Sequence, residues 1–165
     1  SGYHDNSDYI NALAKTISTH EFYGKQDKVV FSYHGIPKKY FDEGDPYHCF
    51  CQKTSRLVAE ALGLEENQYI TSFQSRLAAA GREWLKPYTS ELMKKLPKEG
   101  VKKILILSPG FSMDCLETIE EIDEENKEIF LDAGGEAFHY IACLNDNDEH
   151  VEAINNLIAN KISQL

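Results

Sequence analysis

The chain has 165 residues, which fits one domain burying roughly 70% of the surface its unfolded form exposes. A formal charge of −10 and a pI near 5.0 exclude a nucleic-acid surface, since such surfaces are built from Lys and Arg that neutralise phosphates, and suit cations instead. No stretch approaches the roughly 20 apolar residues of a membrane span, so the expectation is a cytoplasmic chain without a transmembrane segment.

The first residues, Ser1-Gly2-Tyr3-His4-Asp5, have neither the basic segment nor the apolar core of a secretory signal. Ser7 or Asp5 is the expected cap of an opening helix that carries Ile10, Leu13 and Ile17 at helical spacing. Val29-Val30-Phe31-Ser32-Tyr33 then reads as a buried strand, ended by Gly35 and Pro37 immediately after His34. Leu57, Val58, Ala61 and Leu62 form the stripe of a helix over 51–62, closed by Gly63. Tyr69-Ile70-Thr71-Ser72-Phe73 is a second strand, and Tyr88, Leu92, Met93 and Leu96 describe a helix that ends near Gly100. Residues 103–107 predict a third strand closed by Pro109-Gly110, followed by a helix over about 115–131. Gly134-Gly135 breaks that helix; 138–144 supply a fourth strand, and Val151, Ile154, Leu157, Ile158 and Ile162 a closing amphipathic helix.

Strict alternation of apolar strands with helices predicts an α/β fold: a four-stranded parallel sheet with helices on both faces, a Rossmann-type three-layer sandwich. In such sheets ligands bind beyond the carboxyl ends of the strands. That rule selects His34 after the first strand, Ser75 and Arg76 after the second, and the loop 108–114 leading to Glu117 after the third.

His34 is a candidate proton acceptor, the alternative being a histidine satisfied by loop carbonyls. The helix after the third strand carries Asp114, Glu117, Glu120, Glu121, Asp123, Glu124, Glu125 and Glu128 against the single base Lys127. Glu117, Glu121 and Glu125 recur every four residues and share one side, each about 6 Å further along the axis, while Leu116, Ile119, Ile122 and Ile129 are expected to face the core. A charge run is usually a solvated face, which is the reading for Glu120, Glu124 and Glu128. Glu117 sits instead in the first turn at the crevice mouth, and a carboxylate ladder from there suits a hydrated dication or a proton relay. Cys115 is a soft iron ligand or a small inert residue, and Trp84 either stacks on a flat ligand or anchors a loop.

Four cysteines, at 49, 51, 115 and 143, are expected to be reduced thiols. His48, Cys49 and Cys51 lack the two-residue spacing and the second pair of a metal cluster, so neither a zinc nor an iron–sulfur site is expected. Phosphate loops, dinucleotide fingerprints, zincin helices and serine-hydrolase elbows are absent from the sequence.

Phe31-Ser32-Tyr33-His34-Gly35-Ile36-Pro37 with Asp42-Glu43-Gly44-Asp45-Pro46-Tyr47 resembles ferrochelatase. Phe73-Gln74-Ser75-Arg76, Trp84-Leu85-Lys86-Pro87-Tyr88-Thr89, Pro109-Gly110-Phe111 and Asp114-Cys115-Leu116-Glu117-Thr118 follow in that family's order. The resemblance runs from about Tyr3 to the end. It implies a chelatase-like fold, insertion of ferrous iron into protoporphyrin IX in heme biosynthesis, and release of two protons. His34 and Glu117 match the catalytic pair, either of which is a transient iron ligand; Glu121 and Glu125 match the acidic row, and Ser75, Arg76, Trp84 and Cys115 match pocket-side positions. Cys115 stands where many relatives have histidine, and the segment between Arg76 and Trp84 reads as two residues longer than usual, with Ala78-Ala79-Ala80 inserted. The family's enzyme is about twice this length, so 1–165 corresponds to its carboxyl-terminal domain. The amino-terminal domain is then a missing partner, the fragment alone is expected to be inactive, and peripheral membrane contact is left open. Ferrous iron is a substrate here, with no tightly bound cofactor. Rival readings are a related tetrapyrrole chelatase and a noncatalytic tetrapyrrole- or metal-binding module.

Overall fold

The structure is a computed structural model that describes residues 2–76 and 81–163. The inserted Ala78-Ala79-Ala80 lies outside the described residues.

Four strands, β1 (Lys28–His34), β2 (Tyr69–Gln74), β3 (Lys103–Leu107) and β4 (Ala137–Ile141), form one sheet in the order β2-β1-β3-β4. Every adjacent pair is parallel. The period-two rule sorts the strand side chains between two cores. Val29, Phe31, Tyr33, Leu105, Leu107 and Ile141 face helices α1 (Ser7–Ser18) and α3 (Tyr47–Leu62), where they meet Ile10, Leu13, Ile17 and Val58. Val30, Ile104, Ile106 and Phe138 face the opposite layer, against Leu92, Met93, Ile122 and Phe130. Both faces are therefore covered, as the apolar strands predict.

Local chemistry sets the helix ends. The α1 cap is Asn6, whose side chain accepts the Tyr9 N–H, and neither Ser7 nor Asp5 fills that place. Helix α3 starts four residues earlier than expected, at Tyr47, because Asp45 accepts the Tyr47 N–H at 2.8 Å; Gly63 closes it at φ +67, a conformation that only glycine adopts without strain. A short helix α2 (Lys38–Asp42), not foreseen in the sequence, precedes it. Helix α4 (Thr89–Lys95) tightens into a 3₁₀ turn at Leu96–Glu99, and α7 (Asp148–Ile162) closes the chain.

The helix expected over 115–131 departs most. It opens as α5 (Leu116–Thr118), continues as a π-helical stretch Ile119–Asn126, and ends as α6 (Lys127–Asp132). Its buried residues are Thr118, Ile122, Asn126 and Phe130, four apart. Leu116 is 70% exposed and Ile119 49%, so the expectation that both face the core is overturned, while Ile122 is buried and Ile129 packs at the core edge. The wider turn moved them out: a stripe at strict α-helical period would have included Ile119, but a stripe every four residues cannot.

Candidate functional site

Beyond the carboxyl ends of β1, β2 and β3 lies a crevice of about 630 Å³. His34, Ser75, Arg76, Trp84, Leu116, Glu117, Glu120, Glu121 and Glu125 line it. Seven of the eight sequence candidates thus share one hollow; Cys115 does not line it. Glu120, expected on the solvated side, stays exposed but also borders the crevice, three residues on from Glu117.

His34 ends β1. Its carbonyl accepts the Tyr47 hydroxyl at 2.8 Å, and the following Gly35 N–H reaches the Gln74 carbonyl across the ladder at 2.8 Å. Its Nδ1 lies 2.7 Å from the Gly35 carbonyl oxygen. A carbonyl only accepts, so Nδ1 carries the proton in the neutral ring and Nε2 keeps its lone pair. The side chain is exposed.

Glu117 enters from the helix start that follows β3. The Cys115 thiol and the helix backbone hold its carboxyl below the usual carboxylate range, with a smaller electrostatic contribution from His34 across the crevice. Burial and the facing carboxylate in turn push the Cys115 thiol up, which makes Cys115 a hydrogen-bonding neighbour of Glu117. The loop carrying this corner is tied down at Asp114. Its carboxylate accepts from the Tyr140 hydroxyl at 2.6 Å, the Asn145 amide at 2.7 Å, the Thr118 hydroxyl at 3.1 Å and the Cys143 N–H at 3.2 Å.

Glu121 is not a free carboxylate. Its two oxygens accept the Ser75 N–H at 2.6 Å and the Ser75 hydroxyl at 2.7 Å. Ser75 adopts φ +60, a left-handed conformation that costs a non-glycine residue about 1–2 kcal/mol and brings both donors to one acceptor. Glu125, one turn on, is exposed at the far end of the crevice. The Asn126 amide donates to the Glu121 carbonyl at 2.6 Å across the widened turn.

The facing wall is aromatic and basic. The Arg76 guanidinium stacks over the Tyr88 ring at 4.1 Å from its centroid and lies 3.7 Å from Glu91. Trp84 bridges to Pro37, with its backbone N–H near the Tyr88 hydroxyl at 3.3 Å. Leu116, an apolar lip, was missed because its helical spacing assigned it to the core. Gln74 has no role in the sequence reading; the signal for one is a long polar side chain at the last position of an otherwise strand-like run.

Of the four cysteines, Cys49 is exposed, Cys51 is buried and the other two are partly buried. Burial pushes the Cys51 and Cys143 thiols up to about 12. Among the described residues no three His, Cys, Asp or Glu side chains converge in a metal-holding arrangement.

The family model described as Ferrochelatase matches residues 1–162. Ferrochelatase of Marinobacter nauticus is 53% identical over 163 residues, which are 98% of this chain and 44% of that protein. Ferrochelatase of Hydrogenovibrio crunogenus is 55% identical over 94% of this chain and 41% of its own length, and Ferrochelatase 2 of Shewanella oneidensis 52% identical over 94% and 47%. The chain spans less than half the length of these relatives. Among solved structures, SirB from Bacillus subtilis with Fe3+ superposes with a TM-score of 0.62 at 14% identity, over 93% of this chain and 53% of that one. A putative cobalamin biosynthesis CbiX protein from Marinobacter aquaeolei superposes with a TM-score of 0.53 at 11% identity, over 84% and 98%. At such identities these two likenesses show the fold alone.

Proposed function

The chain belongs to the ferrochelatase family, and from that premise we propose that it is the carboxyl-terminal, histidine- and glutamate-bearing domain of an enzyme that inserts ferrous iron into protoporphyrin IX. One observation carries the reading: the His34 imidazole, whose Nε2 has no hydrogen-bond partner among the described residues, and the Glu117 carboxylate border the same crevice as an acidic row.

Insertion exchanges two pyrrole N–H protons for one dication, so the charge on the macrocycle is conserved and two protons must leave. His34 Nε2 takes a proton from a pyrrole nitrogen, and the anionic Glu117 stabilises the imidazolium that forms. Glu125 and Glu120 form an acidic approach between solvent and crevice, along which hydrated iron enters and protons depart. Glu121 contributes to this path only when Ser75 releases it, since both its oxygens are engaged. Trp84 and Leu116 offer apolar surface to the ring. Bending a flat macrocycle draws on binding energy from its remote parts, which calls for a second wall. In this reading an amino-terminal domain of the whole protein supplies that wall, and this domain alone is nearly inactive.

Iron is a passing substrate in this reading, and the chain needs no iron–sulfur cluster: two of its thiols are pushed up by burial, and Cys115 and Cys143 lie on other segments than the α3 pair Cys49 and Cys51. No helix among the described residues is long and apolar enough to cross a membrane, and we place the domain in the cytoplasm, with any membrane contact peripheral.

The test uses the full-length protein. His34→Ala and Glu117→Gln are each expected to lower iron insertion by about 10²–10⁴-fold, the range of a lost general acid–base group, while porphyrin binding, followed by fluorescence, persists. Retention of most of the activity in both variants defeats the assignment.

A further inference from the structure

Gln74, the last residue of β2, is only 2% exposed and stands directly across the ladder from His34. Its main-chain carbonyl accepts the Gly35 N–H at 2.8 Å and so fixes the turn that carries His34. Its side chain turns the other way. Nε2 donates to the main-chain carbonyl of Glu117, and Oε1 accepts from the Ser32 hydroxyl at 2.8 Å and the Ser108 hydroxyl at 3.1 Å.

The amide cannot be reversed. Reversal would set its oxygen against the Glu117 carbonyl oxygen, two acceptors with no proton between them. With the Ser32 proton committed to Gln74, Ser32 must accept from Thr89 Oγ1 at 2.8 Å, and Thr89 in turn from Ser72 at 2.9 Å, because each hydroxyl has one proton to give. The chain of donors therefore runs one way, from β2 through the start of α4 and β1 to the amide. Edge strand β2, inner strand β1 and the residue just past inner strand β3 thus converge on one amide, whose oxygen takes the hydroxyl protons and whose N–H is aimed at Glu117.

This polar cluster occupies the sheet face on which Val30 and Ile106 pack apolar surface. An apolar residue of similar volume would serve burial there without the cost of desolvating an amide and several hydroxyls. What the amide adds is direction: a fully satisfied buried hydrogen bond in a low-dielectric interior is stiff.

We infer that Gln74 is the positioning residue that sets the relation between His34 and Glu117, its backbone holding one and its side chain the other. The inference rests on the reading of the crevice as an iron-insertion site.

In the full-length protein, Gln74→Met keeps the volume and removes the amide. Its kcat for iron insertion is expected to fall at least tenfold with the porphyrin KM changed less than threefold. Ile104→Val, a core truncation at the opposite end of the sheet, matches part of the stability loss and leaves kcat within twofold. Hydrogen–deuterium exchange reports the geometry without reference to catalysis: Gln74→Met speeds exchange at Gly35 and over 117–122 together, and Ile104→Val at neither. Should Gln74→Met not fold, Gln74→Asn, which retains a buried amide but withdraws it from the Glu117 carbonyl, gives the same kcat loss. Unchanged exchange at both places, or equal kcat losses in the Gln74 and Ile104 variants, overturns the inference. A wild-type protein that inserts no iron defeats the functional reading instead, and the exchange result still decides the role of Gln74.

Discussion

Substituting Gly35 by alanine probes how tightly the site is bound to the sheet. A Cβ at Gly35 would lie 2.9 Å from the Gln74 carbonyl oxygen, 3.5 Å from the Trp84 ring and 3.8 Å from the Phe73 Cβ. The first contact is with backbone, which cannot swing aside, so the ends of β1 and β2 must part by a few tenths of an ångström. Overpacking of this kind costs about 1–3 kcal/mol, and strain on the 2.8 Å Gly35–Gln74 hydrogen bond adds up to about 1 kcal/mol. Lower unfolded-state entropy returns about 0.4–1 kcal/mol. The net loss centres on about 2 kcal/mol, or a fall of roughly 4–8 °C in Tm at this chain length. The same displacement moves His34, and iron insertion by the full-length protein is expected to drop at least tenfold. Gly135→Ala is the control. Its Cβ would strike the Phe130 ring and lie 2.8 Å from the Phe130 carbonyl, where the chain enters β4 at the end of the sheet away from the crevice. It should lose at least as much stability and keep its turnover number. A Gly35 variant with unchanged melting and rate, or activity losses in both variants proportional to their destabilisation, refutes the reasoning.

Ser75 separates strain from bonding. Ser75→Gly relieves the left-handed cost while losing the hydroxyl bond to Glu121, and should stay within about 1 kcal/mol of wild type; Ser75→Ala loses the bond and keeps the strain, falling about 1–2 kcal/mol lower. Thermal melts that rank alanine level with or above glycine contradict this. Asp114→Asn tests the loop anchor through pH. Burial alone would raise the Asp114 carboxyl, but the Asn145, Tyr140 and Cys143 donors outweigh it and hold the group below 3.8. A depressed folded pKa gives stability that is fully present above the ordinary carboxylate value and is lost as pH falls through the folded one. The urea-midpoint gap between wild type and Asp114→Asn should therefore be widest near pH 7 and narrow as pH falls below 3.8; a gap that does not change with pH rules out the anchoring role.

The sheet was legible because its two inner strands, β1 and β3, are largely apolar runs soon followed by Gly or Pro, and a parallel sheet is the arrangement that buries both faces of such strands. The crevice followed from the same fact, since His34 closes β1, Ser75 follows β2, and Glu117 opens the helix to which the loop after β3 leads. What stayed hidden depends on which partner a polar group finds after folding. Nothing in the run of residues distinguishes Glu121, held by Ser75, from Glu125, which is exposed, because both have the same spacing. The role of Gln74 was likewise invisible, as its three partners come from 32, 108 and 117, on three separate elements.

Glu117, Glu121 and Glu125 share one side of their helix, as expected, although the helix does not keep the expected α-helical period. At about 100° per residue, a repeat of four drifts roughly 40° around an α-helix at each step, so Phe130 would lie about 120° away from Thr118 and leave the core. Wider i to i+5 turns absorb that drift, and Thr118, Ile122, Asn126 and Phe130 stay buried in one line. Glu117, Glu121 and Glu125 each precede a member of that line by one residue, so the row is carried along the crevice wall as far as the buried line extends. The cost falls on Asn126: its amide N–H₂ satisfies the Glu121 carbonyl, but its buried Oδ1 has no partner among the described residues. An isosteric leucine would remove that orphan acceptor, worth about 1–3 kcal/mol, against the loss of one hydrogen bond, worth about 1 kcal/mol. Fold stability by itself therefore does not require asparagine at this position. The widened turn it braces, and the alignment of carboxylates that the turn maintains, are what its amide supports.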